Sequence, residues 1–331
     1  MTRDHEPAAK RGWVGRGLLV ALCLAAITVV VRHVGEFEHF VELTERARPI
    51  WLLVAVALQL ATYISVAAGW RAVLRRAGAP QPLGKLLPVA ISKLFADQAL
   101  PGAGLGGHVL LVNRLMALGT PRGTAVAALL VSMIGYYAAY AFLALFMLFV
   151  LWLHREATAL LVGFVTAFLL IAVTIPTVAL WLRRRGSRPL PPSIERLRPI
   201  QKLLDIVGEA PPDLVKDRGL LVQVTLFNGA VFLADAATLA ACLLSLGLPF
   251  APSTAFIALM AGSIAATLAP IPMGLGSFEA SATAMLSALG IPFAAALTAI
   301  LLLRGLTLWL PLIPSLLMGR STMKRRRGKK G

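Results

Sequence analysis

Two stretches of this sequence match each other at a constant distance. Pro101 to Pro121 reads PGAGLGGHVLLVNRLMALGTP, and Pro272 to Pro292 reads PMGLGSFEASATAMLSALGIP. At an offset of 171 residues Pro101 meets Pro272, His108 meets Glu279, Gly119 meets Gly290 and Pro121 meets Pro292. Each stretch is a glycine-rich break followed by an apolar segment. A helix needs about 20 residues to cross the hydrocarbon, and these segments fall short of that. A short apolar arm beyond broken backbone survives at membrane depth only where protein or a wet cavity surrounds it. The pair therefore predicts a duplicated membrane fold with a half-length hairpin at the centre of each copy.

Composition agrees with a membrane fold. The chain is 58% hydrophobic and only 14% charged, whereas a soluble domain carries about a quarter charged residues. The net charge of +17 raises the question of nucleic acid. Its distribution answers it: 26 of the 32 lysines and arginines fall in 1–16, 71–87, 183–218, 320–331 or at Arg114 and Arg122. Only Arg46, Arg48 and Arg155 fall on the other expected side. This is the bias of cytoplasmic loops, so the expected partners are anionic lipid headgroups at that surface, not nucleic acid. Cys23 and Cys242 sit singly in apolar runs, which speaks against a disulfide framework or a metal site. No metal and no other cofactor is expected.

The apolar runs read in order as follows. Gly17–Val34 is an uncleaved anchor, because Glu36-Phe37-Glu38 follows where a signal peptide needs small residues. Ile50–Trp70 returns and is stopped by Arg71, Arg75 and Arg76. Leu86–Leu100 and Gly106–Leu118 flank the first break. Gly123–Leu153 is long enough to require tilt or a bend near Gly135, and Ala157–Leu182 comes back. Gly219–Gly247 follows the basic loop 183–218. Thr254–Ala269 and Ser277–Leu289 flank the second break, and Phe293–Met318 ends the membrane part.

The prediction is an all-α integral membrane protein with six spanning helices plus two re-entrant helical hairpins in an inverted-topology repeat. A single transmembrane domain covers 17–320, with one repeat at about 48–153 and the other at about 219–318. Basic cytoplasmic tails occupy 1–16 and 321–331. The protein is expected to be multi-pass in the bacterial cytoplasmic membrane, with both termini in the cytoplasm. Such repeats are typical of secondary transporters, whose substrate site lies near the midplane.

Candidate site residues cluster at the breaks. Gly102, Gly104, Gly106 and Gly107 in the first, and Gly274, Gly276 and Ser277 in the second, precede helix N-termini whose free N–H groups suit a phosphate. The alternative is that these glycines serve only close helix packing. The first cluster also fits G-x-G-x-x-G, but no strand precedes it and no acid follows about 20 residues on, so a dinucleotide site is rejected. His108 and Glu279 occupy matching positions just inside the second arms, and ionisable groups at that depth usually face a cavity or a partner. Arg304, midway through the last run, is the natural counter-charge for Glu279, either in a substrate site or in a static lock. Lys93 and Asp97 lie four apart on one helical face and can pair with each other. Arg114 can attract an anionic headgroup. Asp235 is alone within its span and must face protein or water, whereas Tyr136, Tyr137 and Tyr140 read as packing.

At these residues the chain resembles the lysylphosphatidylglycerol synthase transmembrane-region family, also called flippase-like. The carrying motifs are Leu100 to Gly107 (LPGAGLGG), Pro270 to Glu279 (PIPMGLGSFE) and Leu303 to Pro311 (LRGLTLWLP), and the likeness covers about 17–320. The resemblance implies a lipid flippase or transporter for a phospholipid or lipid-linked substrate. Its members include the membrane half of the bacterial multiple peptide resistance factor, which moves aminoacylated phosphatidylglycerol between leaflets. The family usually carries an acid where this chain has His108, and often an arginine near Ser132–Gly135, where this chain has none. The soluble aminoacyl-transferring domain of that factor is not among these 331 residues, so transport rather than aminoacyl transfer is expected. Protons are the expected coupling species, through His108 and Glu279. The rival readings are a membrane-embedded glycosyl- or lipid-modifying transferase working through Glu36 and Glu38, and a regulator that binds lipid without moving it.

Overall fold

The computed structural model describes residues 48–99, 105–153, 159–185, 210–269 and 274–309. Among them there is no strand. The helices are α1 (Pro49–Arg76), α2 (Leu83–Ala99), α3 (Leu105–Ala117), α4 (Arg122–Leu153), α5 (Ala159–Arg185), the single turn α6 (Pro212–Lys216), α7 (Arg218–Ser245), α8 (Pro252–Leu268), α9 (Ser277–Ala288) and α10 (Phe293–Arg304). A π-helical turn, Gly305–Trp309, continues α10. Four of these contain stretches long and apolar enough to cross a bilayer: α1, α4, α5 and α7. The expected first span, Gly17–Val34, and the two basic tails lie outside the described residues.

Element lengths recur along the chain. α1 and α7 both have 28 residues and start 169 apart, at Pro49 and Arg218. α2 and α8 both have 17 and start 169 apart, at Leu83 and Pro252. Beyond the breaks the distance becomes 171. The Thr120 N–H donates to the Leu115 carbonyl, and the Ile291 N–H to that of Leu286. Gly119 and Gly290 end α3 and α9 at φ +85° and +91°, the left-handed stop that glycine tolerates. The second hairpin, Pro252 to Ala288, is therefore two residues longer than the first, Leu83 to Ala117. The offset of 171 read from the sequence holds after the breaks, and 169 holds before them.

α1 and α7 pack against each other along their length and run antiparallel. At one end the Arg48 N–H donates to the Ser245 carbonyl at 2.8 Å. Towards the middle Gln59 meets Asp235, and Ser65 Oγ donates to the Phe227 carbonyl at 2.9 Å. At the other end Arg76 Nε donates to Asp217 Oδ2 at 2.6 Å. The remaining helices pack around this pair. α2 and α3 form one hairpin, against α1 and α4. α8 and α9 form the other; α8 lies against α7, α4 and α5, and α9 against α10.

α4 is helical without interruption through Gly135. A Cβ there would lie 2.9 Å from Val224 Cγ1 and 3.1 Å from the Thr225 backbone nitrogen. The close approach of α4 to α7 accounts for the glycine. Gly135→Val is expected to lower stability by about 1–3 kcal/mol through overpacking. Gly163→Val, where nothing lies within 4 Å, should stay within about 0.5 kcal/mol. Thermal unfolding of both variants in the same detergent checks this.

Asp217 caps α7, its Oδ1 accepting from the Leu220 N–H at 3.1 Å. That hydrogen bond first, and Arg76 second, hold its carboxyl below the usual carboxylate range. A carboxyl depressed in the folded state stabilises above its unfolded pKa, and the contribution fades as pH falls through the folded value. Acidification through about pH 4 and below should therefore lower the melting temperature of the wild type more than that of Asp217→Asn. Equal falls in both would contradict the assignment.

Candidate functional site

The second hairpin carries the best-defined polar constellation. Its break ends in Gly274 and Gly276 at φ +62° and +82°, conformations that favour glycine. Gly274 is also held by space, since a Cβ there would lie 2.5 Å from Ala266 Cβ. Gly262, inside α8, has the same role: a Cβ would lie 2.8 Å from Ala282 Cβ and 3.1 Å from the Phe278 carbonyl. These two glycines let α8 and α9 close on each other. Gly276 differs, because nothing among the described residues lies within 4 Å of its missing Cβ. Close packing therefore accounts for Gly274, and a positive φ for Gly276.

Glu279 stands in the first turn of α9 and uses both carboxylate oxygens. Oε2 accepts the Gly276 N–H at 2.7 Å, and Oε1 accepts Arg304 Nε at 2.6 Å. Arg304, at the end of α10, also lies 4.9 Å over the Phe278 ring. Both charged side chains are largely buried, at 15% and 16% exposure. Ser277 Oγ donates to the Gly274 carbonyl at 3.0 Å, tightening the same turn. The helix start that suits a phosphate thus already holds a carboxylate of the protein's own, and that carboxylate holds the arginine. The π turn begins at the next residue, Gly305. Such turns recur at functional positions.

At the first hairpin, Gly107 is buried and His108 half-buried in the first turn of α3, and Arg114 is exposed near its end. Gly106 lies in that same turn. Lys93 is half-buried on α2 and Asp97 lies one turn further on; the Asp97 side chain is outside the description, so their pairing is not seen. Gly102 and Gly104 lie outside the described residues, as do Glu36 and Glu38. The structure brings Gly274, Gly276, Ser277, Glu279 and Arg304 together in one site. Among the described residues both hairpins pack on α4, with no extensive packing of one on the other, and both tips fall outside the description. No group of three or more histidine, cysteine, aspartate or glutamate side chains suited to a metal occurs among the described residues.

Asp235 has an unforeseen partner. Gln59 Nε2 donates to Asp235 Oδ1 at 2.7 Å and to Thr238 Oγ1 at 3.1 Å across the α1–α7 seam. Gln59 is 2% exposed and Tyr63, one turn on, 4%; the Tyr63 hydroxyl has no hydrogen-bond partner among the described residues. The signal was present in the sequence. Gln59, Thr62 and Tyr63 form a polar stripe at helical spacing in α1, as do Asp235 and Thr238 in α7. The aromatic reading of α4 fits: Tyr140 is buried against Phe168 and Phe232, with centroids 4.2 and 4.7 Å away, and its hydroxyl meets Thr267 at 3.3 Å.

The Glu279–Arg304 pair makes a prediction independent of any activity. Removing one partner strands a largely buried charge, at a cost of about 3–5 kcal/mol. Glu279→Gln and Arg304→Gln should each destabilise by that order. The double variant should lose less than the sum by about 1–3 kcal/mol. A double-variant cycle on unfolding in detergent measures the coupling, and additive losses would mean that the pair is not coupled.

Comparison with known proteins bears on the whole chain. The Lysylphosphatidylglycerol synthase TM region family matches residues 13–315. A UPF0104 membrane protein of Pyrococcus horikoshii is 22% identical over 329 residues, spanning 94% of this chain and 97% of that protein. The family match takes in both hairpins, the α1–α7 pair and the Glu279–Arg304 site. With its apolar helices long enough to span a bilayer, the chain is a multi-pass helical membrane protein that belongs to the Lysylphosphatidylglycerol synthase TM region family.

Proposed function

We propose that this protein moves an anionic phospholipid or glycolipid headgroup between the leaflets of the bacterial cytoplasmic membrane. In this reading one transmembrane domain, about 17–320, has six spans and two re-entrant hairpins, with 183–218 and both basic tails in the cytoplasm. Its halves, about 48–153 and 219–318, have opposite topology. Support comes from the recurring element lengths together with the antiparallel course of α1 and α7, the first element of each half. Hairpin arms α3 and α9 have 13 and 12 residues, about 20 Å of helix each, too little for a hydrocarbon core about 30 Å thick. The family name refers to a lipid with a phosphodiester headgroup.

The observation that carries the reading is the Glu279–Arg304 couple at the start of a half-length helix. A headgroup phosphate competes with the Glu279 carboxylate for the same two donors, the Arg304 guanidinium and the N–H groups opening α9. As phosphate takes them, Glu279 is released and takes up a proton, and when phosphate leaves, the internal pair re-forms. The exchange keeps the arginine neutralised at every stage, which a low-dielectric site requires. His108, Lys93, Asp97 and Arg114, with the glycines of the first break, serve the matching half-site. The glycines at 102, 104, 106 and 107 admit the headgroup to backbone N–H groups.

The test is transbilayer movement of a fluorescent phosphatidylglycerol in proteoliposomes, followed by bleaching of the outer leaflet. Wild type should exceed empty liposomes. Glu279→Gln should reduce the rate by about tenfold or more. So should Glu279→Gln with Arg304→Met, which removes both charges and leaves no stranded ion. Wild-type movement in a folded double variant would refute the role of the couple. Retention of lipid without any movement by the wild type would favour a regulator over a transporter.

A further inference from the structure

A second polar recess lies where the end of α1 meets the start of α7. Ala68, Arg71, Ala72, Arg75 and Arg76 line it from α1, facing Gln223 and Phe227 of α7. Its volume is about 580 Å³. The lining positions follow helical spacing on both sides: 68, 71–72 and 75–76 on α1, and 219–220, 223 and 227 on α7. Ala68, Ala72 and Gly219 are small, which opens the space. Phe227 stands on the side of the seam's middle, next to Ser65, and the arginines and Gln223 lie closer to the end of α1 and the start of α7.

The charges here are not balanced from within. Asp217 is taken by Arg76 at 2.6 Å, and its other oxygen caps α7. No acid pairs with Arg71 or Arg75 among the described residues. These two lie four apart on one helical face, a like-charge spacing that weakens a helix unless an anion lies between them. Arg71 is half-buried and Arg75 exposed. A 28-residue helix is about 42 Å long, longer than a hydrocarbon core of about 30 Å. Its last turns therefore stand at headgroup depth.

The recurrence of the fold supplies an internal comparison. At the 169-residue offset, Arg71, Arg75 and Arg76 correspond to Ala240, Leu244 and Ser245, and Gln223 corresponds to Val54. At these matched positions the other end of the same helix pair has apolar and neutral residues. Helix pairing alone does not call for arginines at these positions.

We infer that this cleft binds the headgroup of an anionic phospholipid, with phosphate between Arg71 and Arg75, Gln223 donating to it, and an acyl chain leaving past Phe227. The site is separate from the Glu279–Arg304 couple and does not depend on the transport reading, because it is tested by binding and not by flux. The experiment is native mass spectrometry of the full chain released from nanodiscs of equal phosphatidylglycerol and phosphatidylcholine. Wild type should retain phosphatidylglycerol in roughly thirtyfold excess, the size expected of two arginines near the membrane surface. Arg71→Gln with Arg75→Gln should bring the excess close to one, and Gln223→Glu, which sets an acid inside the cleft, should also reduce it. Lys85→Gln with Arg122→Gln removes the same charge outside the cleft and should leave the excess intact. An unchanged excess in the Arg71/Arg75 variant overturns the site. So does an equal loss in the Lys85/Arg122 control, which would assign the preference to surface charge in general.

Discussion

The antiparallel pairing of α1 with α7 is the contact on which the other elements depend. Lipid tails are as apolar as leucine, so two greasy helices gain little by turning from lipid to each other. What holds such a pair is close approach and polar ties, and this seam has both. Gly69 lies with its missing Cβ 3.8 Å from Phe227 and 3.9 Å from Val224. Gln59 reaches Asp235 and Thr238 near the middle, and Arg76 reaches Asp217 at one end. Each tie also sets register. A shift of one residue would rotate Gln59 away from Asp235 and leave a polar group unmatched at membrane depth, a costly outcome. The hairpins and α4 dock on a seam already fixed in both rotation and height.

The hairpins solve a different problem. The start of a helix exposes backbone N–H groups that need acceptors. At α9 one acceptor comes from its own first turn, where Glu279 accepts the Gly276 N–H and its charge is offset by Arg304. Close packing supplies the rest. Gly262 and Gly274 bring α8 and α9 near enough that a methyl group at either position would collide. In one short stretch, then, glycines do two kinds of work: closing the hairpin, and taking the left-handed backbone that leads into α9 at Gly276.

Much of this was legible from spacing. The paired breaks, the glycines at 119 and 290, and the Glu279–Arg304 couple follow from residue types at matched positions, because capping and charge pairing are local or repeat-related. What was not legible depends on partners far apart in sequence. Asp235 reads as a lone acid until Gln59, 176 residues away, is known to face it. Gly135 shows nothing of its neighbour until Val224 is seen against it. The change of offset from 169 to 171 was hidden as well, because identities are dense only after the breaks. Ahead of them, apolar helices tolerate almost any exchange of leucine, valine and alanine, so two residues of slippage leave no mark in the letters.

The recurrence also shows where the halves diverge. Glu279 corresponds to His108, and at the same offset Arg304 corresponds to Met133. The backbone scheme is duplicated, whereas the acid–arginine couple occurs in one copy only. A like arrangement holds on the seam, where Arg71 and Arg75 face apolar counterparts at the other end. The element lengths recur, and electrostatics makes the two sets inequivalent: after the second break a carboxylate is set against a guanidinium, and after the first a histidine and a methionine stand at the matching positions. That inequivalence is a property of these residues, not of the fold they share.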